Sequence, residues 1–223
     1  MIAFDDVSHD YGGGRLFGDV SIKLDQGSFH FLTGPSGAGK STFLKLCYGE
    51  LTPSAGKVLV MNKDLQGLSR NDLAAMRQRI GVVHQDCQFL DHLSVEQNVA
   101  LPLSATGRPV PDSDVADLLS WVGLASHAEA LPPTLSGGER QRAALARAVI
   151  AAPNMLLADE PTGNLDWDMS QRLMSLMIEL NRMGTAVLIA THDLQLIRFA
   201  KSQINARVLR IARRKLQVAG ADL

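Results

Sequence analysis

Gly34-Pro35-Ser36-Gly37-Ala38-Gly39-Lys40-Ser41-Thr42 decides how the rest of this chain is read. An apolar run, Phe29 to Thr33, precedes it and reads as a buried strand; Phe43-Leu44-Lys45-Leu46 follows and reads as the first turns of a helix. Strand, glycine-rich loop and helix at the spacing GxxxxGK[ST] make a phosphate-binding loop. The glycines let backbone N–H groups turn inward on phosphate, where a side chain would block approach or forbid the backbone angles. The helix N-terminus adds unpaired N–H groups and partial positive charge. Lys40 supplies a full charge for the β- and γ-phosphates, and Ser41 a hydroxyl ligand for Mg²⁺. The full nine-residue pattern in this context outweighs a glycine turn that binds nothing.

The complement of such a loop is a buried strand ending in a carboxylate, and Met155-Leu156-Leu157-Ala158-Asp159-Glu160 has that form. Asp159 can hold Mg²⁺, directly or through water. Glu160 is placed to polarise an attacking water, general-base help worth roughly 10²–10⁴-fold in rate. Two more polar residues close short apolar runs: Gln85 follows Ile80–His84, and His192 follows Ala186–Thr191. The glutamine can report the γ-phosphate through Mg²⁺ and the water, and the histidine can hydrogen-bond the γ-phosphate itself. Each alone would be an ordinary strand-end residue; their shared position raises them.

Around these motifs the chain alternates strands and helices, which indicates an α/β fold with a mostly parallel sheet and its site along one edge. Ile2, Phe4 and Val7, then Val20, Ile22 and Leu24, read as half-buried strands joined through a turn at Gly12-Gly13-Gly14. Lys57 to Met61 reads as a further strand, and Ser69 as the N-cap of a helix through Arg77. From Gln85 to about Pro133 the character becomes helical, with Val95–Leu103 and Asp114–Val122 as helices. Ser136 opens a helix to Ala152, Asp166 or Asp168 starts one to Met183, and Gly184 closes it. One domain is expected, with residues 1–84 and 153–223 as catalytic core and N-terminal antiparallel β subdomain, and 85–152 as a helical insertion. The basic tail, with Arg207, Arg210, Arg213, Arg214 and Lys215, reads as a hairpin in preference to a membrane-surface patch.

Bulk properties narrow the function. The net charge of −1 over 223 residues gives no electrostatic argument for nucleic acid as the main partner. Cys47 and Cys87 form neither a disulfide framework nor a metal spacing, and a reducing compartment is expected. The N-terminus has no signal-peptide pattern, and no apolar run approaches the roughly 20 residues that span a bilayer. Action at a membrane would therefore require another chain to supply the span.

Leu135-Ser136-Gly137-Gly138-Glu139-Arg140-Gln141-Arg142 resembles the signature of ABC-type ATPases, whose motifs are then all present in order. Ser136 and Glu139 also form an S-x-x-E capping box, which starts a helix regardless of function. It does not account for the Gly137-Gly138 pair, since glycine is poor in a first helical turn, whereas close approach of a phosphate does. The resemblance implies ATP and Mg²⁺ as ligands, with Tyr11 stacking on adenine and Gly34–Thr42 around the phosphates. It implies Gln85 as the Q-loop residue, Asp159 and Glu160 as Walker B, Gly163-Asn164-Leu165-Asp166 as the D-loop and His192 as the switch histidine. It further implies a homodimer on ATP binding, with Ser136, Gly137 and Gly138 acting in trans. A membrane partner is implied at the cytoplasmic face, met through the helical insertion that begins at Gln85. The wording VEQNVALPL and ADEPTGNLD is most similar to a cell-division subgroup, and ADEPTGNLD is shared with subunits that drive lipoprotein release or efflux. Arg140 and His84 depart from the subgroup's common glutamine and aromatic residue. A soluble ABC ATPase acting on DNA or ribosomes does not fit one phosphate loop in 223 residues, and the signature argues against a small-molecule kinase.

Overall fold

In the computed structural model, which describes residues 1–218 apart from 13, 108, 110 and 164, alternating apolar and polar residues give Ile2–Asp10 (β1) and Arg15–Leu24 (β2) one buried face each. Phe29–Thr33 (β3) is buried throughout and runs into the glycine loop and Lys40–Cys47 (α1). Ala55–Val60 (β4) and the short Lys63–Asp64 (β5) complete an antiparallel sheet in the order β2-β1-β4-β5. Arg70–Arg77 (α2) starts where Ser69 accepts a hydrogen bond from the Asp72 amide, as its sequence predicts.

Ile80–Val83 (β6) leads into Val95–Ser104 (α3) and Asp112–Trp121 (α4). Gly137–Val149 (α5) follows, then Met155–Asp159 (β7), Trp167–Arg182 (α6) and Ala186–Ala190 (β8). Leu194–Lys201 (α7) precedes the terminal strands Ala206–Ala212 (β9) and Lys215–Val218 (β10). The larger sheet has the order β10-β9-β3-β8-β7-β6. The five strands from β9 to β6 are parallel, and β10 returns antiparallel at one edge.

Period-two alternation divides the large sheet's side chains between two cores. Leu32, Leu157 and Leu188 face α1 and the small sheet, packing with Phe4, Phe17 and Phe43. Phe31, Leu156 and Ile189 face the other way, onto Leu145 of α5, Leu173 and Ile178 of α6 and Ile197 of α7. A third cluster joins Val95 and Val99 of α3 and Val115 and Leu119 of α4 to Ala143 and Ala146 of α5. Helix α5 therefore has one face in the helical region and one on the large sheet.

The tail forms the anticipated hairpin, turning at Arg213 and Arg214, both with positive φ (50° and 63°). Several boundaries differ from expectation, and one helix is additional. Helix α5 stops at Val149, three residues before Ala152, and Ala152 takes φ 50° immediately before Pro153. Lys40, not Phe43, begins α1. Helix α7 was not expected at all. Gly13 of the first turn and Asn164 of the D-loop segment lie outside the described residues.

Candidate functional site

Four adjacent strands of the large sheet, β3, β8, β7 and β6, run parallel and end on the same edge. The pairing continues just past their ends. Thr191 donates its backbone N–H to the Leu32 carbonyl at 3.1 Å, and Glu160 to the Ala190 carbonyl at 2.8 Å. These bonds hold the strand-end segments in register with one another. The glycine loop succeeds β3, Thr191-His192 succeeds β8, Asp159-Glu160 closes β7, and His84-Gln85 succeeds β6. Together the four segments line one cleft of about 620 Å³.

The loop side of the cleft is built from Gly34, Pro35, Ser36, Gly37, Gly39, Lys40, Ser41 and Thr42. Gly39 takes φ 101°, and a Cβ there would stand 2.9–3.0 Å from Leu16 and Phe17 side chains, so both angle and space call for glycine. No side chain caps α1, which leaves its first N–H groups directed at the cleft. Lys40 Nζ donates to the Gly34 carbonyl at 3.1 Å and stands 3.8 Å from Glu160 Oε1. Ala38 does not line the cleft: its N–H bonds the Pro35 carbonyl at 3.1 Å and its methyl packs on the small-sheet core.

The opposite side is acidic. Burial raises the Asp159 carboxyl above its ordinary value, a shift opposed by a hydrogen bond from Ser41 and by the Lys40 charge. Glu160 sits at φ 44°, a left-handed angle unusual for a residue with a side chain, and its carboxylate accepts from His192 Nδ1–H at 2.9 Å. His192 is otherwise open to solvent, its side chain 74% exposed. Gln85 lines the same cleft.

At the rim, Tyr11 is 64% exposed and its hydroxyl lies 3.0 Å from Thr42 Oγ1. Leu16 and Gly163 also line the cleft. Gly163 stands in a motif; Leu16 does not, because strand pairing brings it there and no local pattern marks it.

The donor set fits Mg²⁺. A hydroxyl, a carboxylate and an amide oxygen are hard ligands, and Mg²⁺ takes one or two protein carboxylates together with substrate phosphates. Among the described residues no group of three His, Cys, Asp or Glu side chains could hold a metal without such phosphates.

Ser136, Gly137 and Gly138 are absent from the described lining of this cleft. The capping box is formed: Glu139 N–H donates to Ser136 Oγ at 3.4 Å and Ser136 N–H to Glu139 Oε2 at 2.7 Å. The bonds that Ser136 donates lower the Glu139 carboxyl pKa. A Cβ on Gly137 would meet open space and one on Gly138 only ordinary contacts, so nothing within the chain itself demands glycine there.

Comparison with known proteins agrees with this geometry. The family described as "ABC transporter" matches residues 17–163. The chain is 46% identical over 200 residues to the cell division ATP-binding protein FtsE of Escherichia coli K12, covering 88% of this chain and 90% of that one. It is 40% identical over 203 residues to the methionine import ATP-binding protein MetN of Caulobacter vibrioides, covering 89% of this chain and 61% of that one. Among solved structures, a dimeric post-hydrolysis state of the ATP-binding cassette MJ0796 with ADP and Pi superposes with a TM-score of 0.88 at 30% identity, covering 97% of each chain.

Proposed function

The chain belongs to the ABC transporter family and is an ATPase of that type, and from this premise we propose that it is the FtsE-like motor subunit of a membrane complex. The partner in this reading is an FtsX-like integral membrane protein, and the output is control of cell-wall hydrolysis in bacterial cell division. The observation that carries the proposal is the convergence of four parallel strand ends on one cleft. Identity of 39–46% with several FtsE proteins supports the subgroup. Among the described residues no helix is long and apolar enough to cross a membrane, so the partner supplies the span, and the subunit sits peripherally at the cytoplasmic face of the inner membrane.

In this reading Tyr11 stacks on adenine, and the backbone of Gly34, Pro35, Ser36, Gly37 and Gly39 with Thr42 cradles the phosphates. Lys40 neutralises the β- and γ-phosphates. Ser41, Gln85 and Asp159 would hold Mg²⁺, which when bound supplies charge stabilisation at the phosphate oxygens. Glu160 takes a proton from water as the water oxygen bonds to the γ-phosphorus and the bond to the β-phosphate oxygen breaks, giving ADP and inorganic phosphate. His192 keeps Glu160 oriented through Nδ1–H, and as an imidazolium it also presents Nε2–H as a donor to the γ-phosphate. Ser136, Gly137 and Gly138 complete the γ-phosphate face of a second copy.

A detergent pull-down with this chain as bait tests the assignment. Recovery of a four-span membrane protein without a lipoprotein-binding role is the expected result. An ATPase rate that rises with a transported solute or lipoprotein overturns it in favour of a transporter motor.

A further inference from the structure

His9 carries a feature that the ATPase reading leaves unused. Its side chain is buried, 6% exposed, and both ring nitrogens are enclosed without a hydrogen-bond partner among the described residues. An imidazole in that position gains nothing from its polar atoms, and a buried polar group without a partner is destabilising relative to an apolar ring of similar shape. What the ring does have is aromatic neighbours. It stands at 86° to the Tyr11 ring with centroids 4.8 Å apart, and 6.5 Å from Phe17. Phe17 in turn lies 6.3 Å from Phe43, and Phe43 stacks on Phe4 at 4.4 Å. Phe43 comes directly after Thr42 in α1, so a run of rings connects the glycine-loop helix, through the small-sheet core, to the exposed Tyr11.

The strand geometry places His9 in that run. His9 pairs with Phe17 across β1 and β2, and the register shifts on both sides of it. The shifts break the alternation, so that Val7, Ser8 and His9 are all buried. Past His9 the backbone is held by Asp10, whose N–H donates to Ser54 Oγ and whose Oδ1 accepts from Gly12 N–H, each at 3.1 Å. The Tyr11 side chain itself has its hydroxyl on Thr42 and its ring on His9.

Resting on the reading of Tyr11 as the base-stacking residue, we infer that His9 is a positioning residue for nucleobase recognition: its ring fixes the tilt of Tyr11 so that the phenol face meets the purine. Thr42 can accept from Tyr11 and still donate its one proton to a phosphate, so the tip contact is compatible with bound nucleotide. The tip contact alone leaves the ring free to rotate about the line from Cβ to the hydroxyl. His9 removes that freedom.

The test is titration of the full chain with Mg·ATP and, separately, with Mg·tripolyphosphate, which has the phosphates and no base. An edge-to-face ring pair predicts that His9→Ala weakens ATP binding by about 2- to 10-fold and leaves tripolyphosphate binding unchanged. His9→Leu keeps the buried volume without the flat ring and guards against loss of folding; it shows the same base-specific loss. His9→Phe keeps the ring and binds ATP as the parent does. In the Tyr11→Ala background His9→Ala adds nothing, because the ring it positions is gone. Equal loss for both ligands, or a His9→Leu chain that binds ATP normally while Tyr11→Ala does not, overturns the inference alone. A Tyr11→Ala chain with unchanged ATP affinity overturns the base-stacking reading and the inference with it.

Discussion

In the proposed reading Glu160 carries the proton transfer of the cleft in one side chain. Its left-handed backbone costs on the order of 1–2 kcal/mol for a residue with a Cβ, and its carboxylate is aimed at once towards Lys40 and His192. A strained residue at the convergence of four strand ends is the form expected of a general base. Glu160→Gln keeps the shape and the hydrogen bond acceptor but cannot take a proton. Phosphate release should fall by about 10²–10⁴-fold with ATP affinity changed less than about threefold, and ATP should then hold a dimer visible by size exclusion. Turnover at the parent rate would remove Glu160 from that role. His30 makes a second residue-scale case, this time for stability. It lies in β3 between Leu188 and Arg207, and burial first, then the Arg207 charge, lowers its pKa from 6.5 to about 4. Between those values the unfolded chain binds a proton that the folded chain refuses, so stability is lost as pH falls through that window and is unaffected above it. His30→Val should flatten the fall of Tm with acid in that window, read as the difference between the two Tm–pH curves; parallel curves would rule the effect out.

At the scale of elements, α5 and the loop after β6 are tied by a clamp. Arg147 lies over the Phe89 ring at 4.6 Å and Arg140 lies beside it at 5.3 Å, while Arg140 also donates to the carbonyls of Pro132 and Cys87. Desolvation lowers the Arg147 pKa, and its guanidinium is held by the ring and by the Gln88 carbonyl. The clamp joins the segment that carries Gln85 to the helix that carries Ser136–Gly138. Phe89→Ala removes half-buried apolar volume and both ring contacts, which should cost about 2 kcal/mol and lower Tm by about 4–8 °C in a differential scan. An unchanged Tm would show that the two arginines re-pair without the ring. None of this clamp is legible in the sequence, because Phe89 and Arg147 are brought together by packing. Elements with local signals were legible: Ser69, Ser136 and Asp166 each cap the helix they precede. Helix α7 escaped because its eight residues bury only Leu196, Ile197 and Ala200, although Asp193 does cap it through the Gln195 and Leu196 amides. The early end of α5 has a local cause: Ile150 still takes the helical conformation and bonds the Ala146 carbonyl, but Ala152 turns left-handed ahead of Pro153, whose ring disfavours helix in the residue before it. The glycine loop, Gln85, Asp159, Glu160 and His192 were legible for the opposite reason, since each stands at a strand end, and Tyr11 only through the family resemblance; Leu16, placed by strand pairing, was not.

For the whole molecule, the proposed reading requires a second chain to complete each site. The glycine loop, Gln85, Asp159, Glu160 and His192 share a cleft, whereas Ser136, Gly137 and Gly138 do not line it. Helix α5 starts at a capped N-terminus where a Cβ on Gly137 would meet open space and one on Gly138 only ordinary contacts, which leaves both glycines for the proposed role in a second copy. A second copy supplying that surface to the first cleft, and receiving it at its own, gives a twofold assembly in which each site draws on both chains. Two variants separate this from a site completed in cis. Lys40→Ala disables the phosphate loop and leaves the signature intact; Ser136→Arg obstructs the signature and leaves the loop intact. Each alone should lose nearly all turnover. Mixed in equal amounts, half of the dimers pair one chain of each kind. Such a dimer has one dead site with both defects and one sound site, built from the intact loop of one chain and the intact signature of the other. ATP hydrolysis should therefore return to about one quarter of the parent rate, counted per site, and to less if the two sites must fire together. A mixture that stays as inactive as its components would place the signature's action within its own chain.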